Sequence, residues 1–414
     1  MSSLSISDAS SVVCFPGSGP VRGDGFDGIQ IVENTSVVCE GPRITGLGDG
    51  AGEVVFDARG CTVVPGFVDC HTHLPFFGWR ADEDAARLAG RRYESLHQSE
   101  GGIYRSARML ASATDEEVLE FAAGLAGAML RSGTTAFETK SGYGLSVEAE
   151  LRELRLACDL AGRVPQTIVA TCLAAHAIPA GMSAGEWIGM AAERLLPAVA
   201  GERLASAVDI YVESIAFQLE HAARLAKEAE ALGLGMRMHA DQLEDGQAAA
   251  FAARWGLVSA DHLNHTSREA VGDLAAGDTA AVLLPGATFT LRQATKPSAR
   301  DLIEAGAIVA LGTDLNPGTS PIHSMPFVVA LACRLYGLRP LEALAAATVN
   351  AAYVLRLHDE IGRIGPGYRA DLVVLDAPSF DFVAYRPDHD HVLAVFCGGE
   401  PAYISERAEK RLRR

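Results

Sequence analysis

Eight short apolar runs, each followed by a longer stretch rich in Ala, Leu, Glu and Arg, dominate the middle of the chain at 63–69, 134–138, 167–173, 208–213, 236–239, 258–261, 280–284 and 308–313. Such alternation is the signature of βα units on a parallel sheet, and eight units predict an α/β fold, a closed (β/α)8 TIM barrel. A barrel of this kind does its chemistry at the C-terminal ends of its strands. The stretch 115–131 illustrates the connectors: Thr114 is a suitable N-cap, the acidic residues at 115–117 suit the positive helix end, and Gly133 is a stop signal.

The two chain ends read differently. Segments 29–32, 36–40, 43–47, 54–57 and 61–64 are short β-type runs divided by turn formers, a small antiparallel sheet too short to close a core alone. The same texture returns at 370–376, 391–396 and 402–404, the last two flanking Gly398-Gly399. Pairing the ends predicts a small β-sandwich domain from residues 1–64 and 360–414 beside a barrel domain at 65–359. A length of 414 residues accommodates both.

Charge narrows the partners. Lys and Arg number 35 against 52 Asp and Glu, a net −17, with a basic run only at 410–414. Phosphate backbones and anionic membranes repel such a chain, so neither nucleic acid nor membrane is an expected partner. No apolar stretch reaches the roughly 18 residues a spanning helix needs; even 341–355 is interrupted by Glu342, Thr348 and Asn350. Residues 1–11 are Ser-rich with no basic start, unlike a secretory or transit peptide, which predicts cytoplasmic residence. Eight scattered cysteines without a CxxC read as buried free thiols in a reducing compartment.

Polar residues collect where the barrel reading puts its chemistry. Strand 1 runs into His71-Thr72-His73, strand 2 into Lys140 and Tyr143, strand 3 into His176, and strand 4 into Glu213. Strand 5 ends in His239, strand 6 in Asp261-His262 and strand 8 in Asp314. His71 and His73 have period-two spacing, so both imidazoles point the same way and can share one cation. Imidazoles with a carboxylate suit Zn²⁺ or Fe²⁺, making His71, His73, His239 and Asp314 a coherent set for one divalent metal ion with a position left for water. A bare His-x-His is weak evidence, but this one follows Pro65-Gly66-Phe67-Val68-Asp69 and has partners at later strand ends. As core histidines, the pair would need acceptors that the neighbouring sequence does not offer.

The block 64–74, together with Gly362-Arg363-Ile364-Gly365-Pro366-Gly367-Tyr368-Arg369-Ala370-Asp371-Leu372-Val373-Val374, resembles the amidohydrolase superfamily. That resemblance implies a metal barrel flanked by a β-sandwich from both chain ends. Within it, Lys140-Ser141-Gly142-Tyr143-Gly144-Leu145, Ala175-His176-Ala177-Ile178-Pro179, His239-Ala240-Asp241-Gln242, Ala260-Asp261-His262-Leu263 and the string from Thr313 to Pro321 are similar to the imidazolonepropionase family. Those enzymes of histidine degradation open 4-imidazolone-5-propanoate to N-formimidoyl-L-glutamate. The likeness spans about 64–376. It implies that His71, His73, His239 and Asp314 bind the metal and that His262 is a non-ligand histidine beside the reacting water. It further implies that Arg80, Tyr143 and His176 hold the ring and propionate, with Asn316, Gly318 and Thr319 after strand 8 and Gln242 beside the strand 5 ligand. The implied partner is a small anionic ring substrate, and a homodimer is among the assemblies open to the chain.

The expected chemistry is hydrolysis of a cyclic amide C–N bond by a metal-activated water. Asp314 would take the water's proton and return it to the leaving ring nitrogen, while His262 stabilises the oxyanion. Each residue also has a plainer reading. Arg80 could be a solvated rim arginine, although an anionic substrate on a chain of net −17 needs a local cation. Tyr143, between two glycines, could cap a turn. His176 alone reads as a core histidine, and Glu213 either orients a ligand histidine or sits in water at the rim. His97, His221, His265, His323, His358, His389 and His391 fall away from strand ends and read as structural or solvated. Departures from the family are Phe77 and Trp79 in place of small residues, Ala175 for Gly, Thr319 for Ser, and Gln242 where some members carry Glu. Bulk beside Arg80 leaves a hydantoin or thio-imidazolone propionate open as the ring, and a superfamily deaminase as another activity. A binding protein that has lost catalysis is disfavoured by the complete candidate ligand set with His262.

Overall fold

The computed structural model describes residues 3–50, 52–90 and 101–413; His97 and the last residue of the basic run 410–414 lie outside them. Strands β1 (Ser3–Cys14), β2 (Gln30–Glu40), β3 (Arg43–Leu47), β4 (Val54–Asp57) and β5 (Thr62–Pro65) open the chain. The barrel follows with β6 (Phe67–Asp69), β7 (Thr134–Lys140), β8 (Thr167–Ala175) and β9 (Ala207–Val212). It is completed by β10 (Gly235–Ala240), β11 (Ser259–His262), β12 (Ala280–Leu283) and β13 (Val309–Leu311). Each strand is hydrogen-bonded to the next in chain order, and every ladder is parallel. The eight expected βα strands therefore form a (β/α)8 barrel.

The ring closes just past the strands. Thr72 bridges Leu315 in parallel, the Asp314 N–H donates to the His71 carbonyl at 2.9 Å, and the His73 N–H donates to the Leu315 carbonyl at 2.9 Å. Buried Asp69 reinforces the junction by accepting from the Thr313 N–H at 2.9 Å. Closing the barrel thus brings the His-Thr-His segment against Asp314.

One expected strand is two. The run 63–69 breaks at Gly66, where a Cβ would lie 2.1 Å from Thr135 Oγ1. Val63 and Val64 pair with β14 (Leu372–Leu375) of the small sheet, leaving only Phe67–Asp69 to the barrel. Among the helices, α1 (Ala81–Leu88), α2 (Gly102–Ser112), α3 (Asp115–Arg131) and α4 (Val147–Ala161) flank the site. The α3 start is a full capping box: the Glu117 N–H donates to Thr114 Oγ1 at 3.3 Å, and the Thr114 N–H donates to Glu117 Oε2 at 2.8 Å.

Beyond β14, strands β15 (Val392–Cys397), β16 (Glu400–Ile404) and β17 (Leu412–Arg413) return the chain to the first sheet. That nine-stranded sheet, built from both ends as expected, runs β16-β15-β14-β5-β1-β2-β3, with β4 on β1 and β17 on β4. It departs from the sequence reading in three ways. The expected segments 29–32 and 36–40 are one strand, β2. β1, along which residues 1–11 read only as a Ser-rich tail, is the strand about which the sheet branches: antiparallel to β2 but parallel to β4 and β5. Serine has weak strand preference, yet neighbours on both edges supply the pairing that propensity does not. Leu4 and Ile6 of β1 join Val37, Phe56 and Phe396 in a separate core, where Phe56 meets Phe396 edge to face at 5.9 Å.

The cysteines are all free, but only Cys39, Cys61, Cys70 and Cys172 are fully buried and Cys158 is exposed. Four of the eight therefore depart from the expected burial: α4 turns Cys158 outward, and Cys14, Cys333 and Cys397 are only partly buried. Among the described residues no helix is long and apolar enough to cross a membrane.

Candidate active site

The imidazoles of His71 and His239 are aimed by carboxylates from other barrel strands, Asp261 of β11 and Asp209 of β9. His71 Nδ1 lies 2.5 Å from Asp261 Oδ2, and His239 Nδ1 lies 3.2 Å from Asp209 Oδ1. An Nδ1–H given to a carboxylate leaves the Nε2 lone pair free on the far side of the ring. Both Nε2 atoms are buried and have no hydrogen-bond partner among the described residues. Asp314 Oδ1 stands 3.2 Å from His73 Nε2 and 3.6 Å from His71 Nε2. Ligand-capable atoms of His71, His73 and Asp314 lie within 4.8 Å of one another, as do those of His71, His239 and His262. His71 is the member common to both groups, so the four expected ligands and His262 gather about one point.

Electrostatics suit a cation there. Burial pushes the pKa of His71, His73 and His262 well below the usual histidine range, and neutral imidazole is the form that ligates. Burial also pushes the Asp314 carboxyl up to about 7, against the lowering influence of His239 and a hydrogen bond from Asn316. Unpartnered ring nitrogens beside a poorly solvated carboxylate are the donor set a divalent ion would satisfy.

Beneath the rim lies a group that the sequence reading did not assign. Asp261 accepts from Arg237 at 2.9 Å, Arg237 donates to Glu138 at 2.8 Å, Lys140 reaches Glu138 at 2.6 Å, and Lys140 reaches Asp209 at 2.8 Å. All five are essentially inaccessible to solvent. The signal was present as period two: Glu138 with Lys140, Arg237 with His239, Asp209 with Tyr211, and Ser259 with Asp261 each put two polar side chains on the interior face of an otherwise apolar strand.

Above this layer opens a cavity lined by His73, Arg80, Ile103, Tyr143, His176, Tyr211, His239, Gln242, His262, Asp314, Asn316 and Thr319. Every expected site residue lines it except His71, which lies below, and Gly318, whose lack of a side chain leaves room for Arg80. Tyr211 and Ile103 were not anticipated; Tyr211 is two residues from Asp209 on β9, whereas nothing in the sequence marks a single isoleucine of α2. Six further histidines, at 221, 265, 323, 358, 389 and 391, do not line the cavity.

Arg80 is not a solvated rim residue. It is 4% exposed, its Nε and Nη1 are buried without a hydrogen-bond partner among the described residues, and Glu83 approaches Nη1 only to 3.7 Å. A Cβ on Gly318 would fall 1.5 Å from Arg80 Nη2, so glycine is what lets the guanidinium lie against that loop. Asn316 braces the same loop: its Oδ1 accepts from the Gly318 and Thr319 amides at 2.9 and 2.7 Å, and its Nδ2 donates to the Asp314 carbonyl at 2.7 Å.

Across the cavity, His176 Nδ1 is 3.0 Å from the Gly142 carbonyl and its ring is 5.2 Å from that of Tyr143. This loop hangs on two buried carboxyls of α4. Glu153 accepts from the Gly142 and Tyr143 amides at 3.1 and 3.0 Å, and Glu150 accepts from Leu145 at 2.9 Å. Gly142 has φ +125°, open only to glycine in practice. Glu213 neither orients a ligand histidine nor sits in water: it accepts from the Gln242 and Leu243 amides at 2.6 and 2.9 Å, fixing the turn after β10. Phe77 and Trp79 pack on Phe121 of α3, with ring centroids 5.6 and 5.9 Å away, and do not line the cavity. Phe77 is half-buried there, whereas Trp79 stays 39% exposed.

Residues 62–402 match the Amidohydrolase family. The chain is 42% identical over 407 residues to an imidazolonepropionase of Rubrobacter xylanophilus, covering 96% of this chain and 97% of that one. It is 43% identical over 392 residues to an imidazolonepropionase of Streptomyces griseus, covering 92% and 95%. Among solved structures, a triazine hydrolase variant superposes with a TM-score of 0.75 at 16% identity, covering 99% and 96% of the two chains. An adenosine deaminase from Xanthomonas campestris with bound zinc gives 0.70 at 18%, covering 97% and 93%. Those distant likenesses establish the shared fold; the sequence relationship is far closer, and by it the chain belongs to the amidohydrolase family and, within it, to the imidazolonepropionases.

Proposed function

We propose that this protein hydrolyses the cyclic amide C–N bond of 4-imidazolone-5-propanoate to N-formimidoyl-L-glutamate, and that His71, His73, His239 and Asp314 hold one Zn²⁺ or Fe²⁺. The observation that carries the reading is Arg80: a buried guanidinium, whose Nε and Nη1 have no hydrogen-bond partner among the described residues, shares a cavity with Asp314 and the histidines. A buried cation facing a cavity in a chain of net −17 suits a small anionic ring substrate.

When bound, a divalent cation supplies Lewis acidity toward water and the ring carbonyl. Arg80 grips the propionate or the ring carbonyl through charge-assisted hydrogen bonds, and Gly318 leaves it room. Tyr143, His176, Gln242 and Thr319 line the remaining walls and orient the ring, while Asn316 keeps the Asp314–Thr319 turn in shape. Asp314 accepts the proton of the attacking water and delivers it to the departing ring nitrogen. Neutral His262 steadies the negative charge that builds on the carbonyl oxygen. A single cation is favoured because Lys140 is held between Glu138 and Asp209 as an ammonium, and is not free to form a bridging carbamate. Burial and Arg237 push its pKa down, but Asp209 and Glu138 outweigh them and hold it above the usual lysine range. The free thiols suit the cytoplasm.

Purified protein incubated with 4-imidazolone-5-propanoate should abolish the substrate's ultraviolet absorbance, with propionates of hydantoin and thio-imidazolone turned over more slowly. Turnover of a hydantoin or an aminopurine in preference to the imidazolone would overturn the assignment.

A further inference from the structure

Glu138 touches neither the cavity nor any histidine side chain, yet three lines of contact run from its carboxylate to the metal-site histidines. Oε1 accepts from Arg237 at 2.8 Å, and Arg237 holds Asp261, which holds His71. The same oxygen accepts from Lys140 at 2.6 Å, and Lys140 holds Asp209, which holds His239. Oε2 accepts from the Thr72 N–H at 3.2 Å, and Thr72 Oγ1 donates to the Glu138 carbonyl at 2.7 Å, which fixes the residue between His71 and His73.

Resting on the ligand assignment above, we propose that Glu138 is a positioning residue which, through Arg237, Lys140 and Thr72, sets the direction in which His71, His73 and His239 present their ring nitrogens to a cation.

The argument is one of donors and acceptors. Arg237, Lys140 and the Thr72 amide are all donors, so both carboxylate oxygens must accept. A glutamine of the same shape has one accepting oxygen. Whichever way its amide is turned, an NH₂ group meets either the two buried cations or the Thr72 N–H. In a site this dry, opposed donors are costly, and the neighbouring cations must re-aim. Asp209 and Asp261 would move with them, and the imidazoles would lose their fixed tautomer and angle. The packing of the barrel is otherwise unchanged, because the substitution alters no volume.

The test compares wild-type and Glu138→Gln full-length protein loaded with Zn²⁺. Transfer of the ion to a colorimetric chelator is timed, and ¹⁵N-histidine NMR of the same samples then reads which ring nitrogen carries the proton. Disturbing a partner of a ligand histidine typically weakens metal binding about 10- to 100-fold. Release should therefore quicken by about that factor, with the Nδ1–H signals of His71 and His239 shifted, and the opposed donors should also lower the melting temperature of the metal-free chain. Glu138→Asp, which keeps both acceptors on a shorter arm, should show an intermediate release rate and serves if the glutamine variant fails to fold. Unchanged release and unchanged histidine signals in both variants, or a fall in melting temperature alone, would overturn the proposal. If the wild-type protein retains no Zn²⁺ and leaves the imidazolone untouched, the functional reading falls; the histidine signals alone then decide whether Glu138 positions the rings.

Discussion

At the scale of single residues, the site separates groups that face the cavity from groups that hold them. Arg80 faces it. Replacing it by Met should lower kcat/KM by ~10- to 100-fold at unchanged melting temperature, since a charge-assisted bond is worth roughly 1.5–3 kcal/mol. Lys should restore only part, as a point charge cannot reproduce a planar fork. Gly318→Ala tests the same contact from the other side: the new methyl displaces the flexible end of Arg80, so kcat/KM should fall in the same direction but less, while a normal value would mean the guanidinium does not act from its present position. Asp314→Asn keeps a coordinating oxygen and loses the proton acceptor. Metal content should survive while kcat drops by about 10²; near-normal turnover would transfer the proton role to His262. Asn316 shows where residue-level reading falls short. Its place after β13 was evident, but that its amide braces the loop depends on backbone that folds back upon it.

Elements carry a pH dependence. The Gly142–Leu145 turn hangs on Glu150 and Glu153 at the start of α4, where burial pushes Glu150 up to about 7 and, together with the charge of Glu150, pushes Glu153 well above the ordinary carboxylate range. A raised folded-state pKa means the native protein holds protons that the unfolded chain has released. Its stabilisation is complete below the unfolded value near ~4.3 and is lost as pH rises through about 7. Melting temperature should therefore decline between about pH 5 and 8. Glu153→Gln, which keeps an oxygen for the Gly142 and Tyr143 amides, should flatten that decline by up to about 1.4 kcal/mol per pH unit. Equal slopes in the two proteins would show that this carboxyl does not titrate with folding. Helix α4 itself was legible as a connector, but the destination of its two glutamates was not, because a helix period does not tell which turn a carboxyl will reach.

For the whole molecule, one face of the small sheet has an apolar core of its own, which includes Ile6, while the other face, with Val373 and Val395, packs into the barrel's core. Ile6→Ala in β1 should cost about 2–5 kcal/mol in denaturant unfolding, with kcat of the folded fraction unchanged; a fall in kcat would mean the small sheet holds the barrel's rim in shape. By itself the sequence determined what is local. Apolar runs and their spacing specified the eight barrel strands, and the period-two histidines with a carboxylate after β13 specified a candidate metal site. Only the tertiary structure decided which strand β1 joins, where the run 63–69 divides, and that a chain of buried charges underlies the histidines. Glu138 and Arg237 stand 99 residues apart, and period two places each on an interior face without naming its partner. Local patterning reports which face a side chain takes, whereas the partner that makes a buried charge tolerable is brought up by the closing of the barrel.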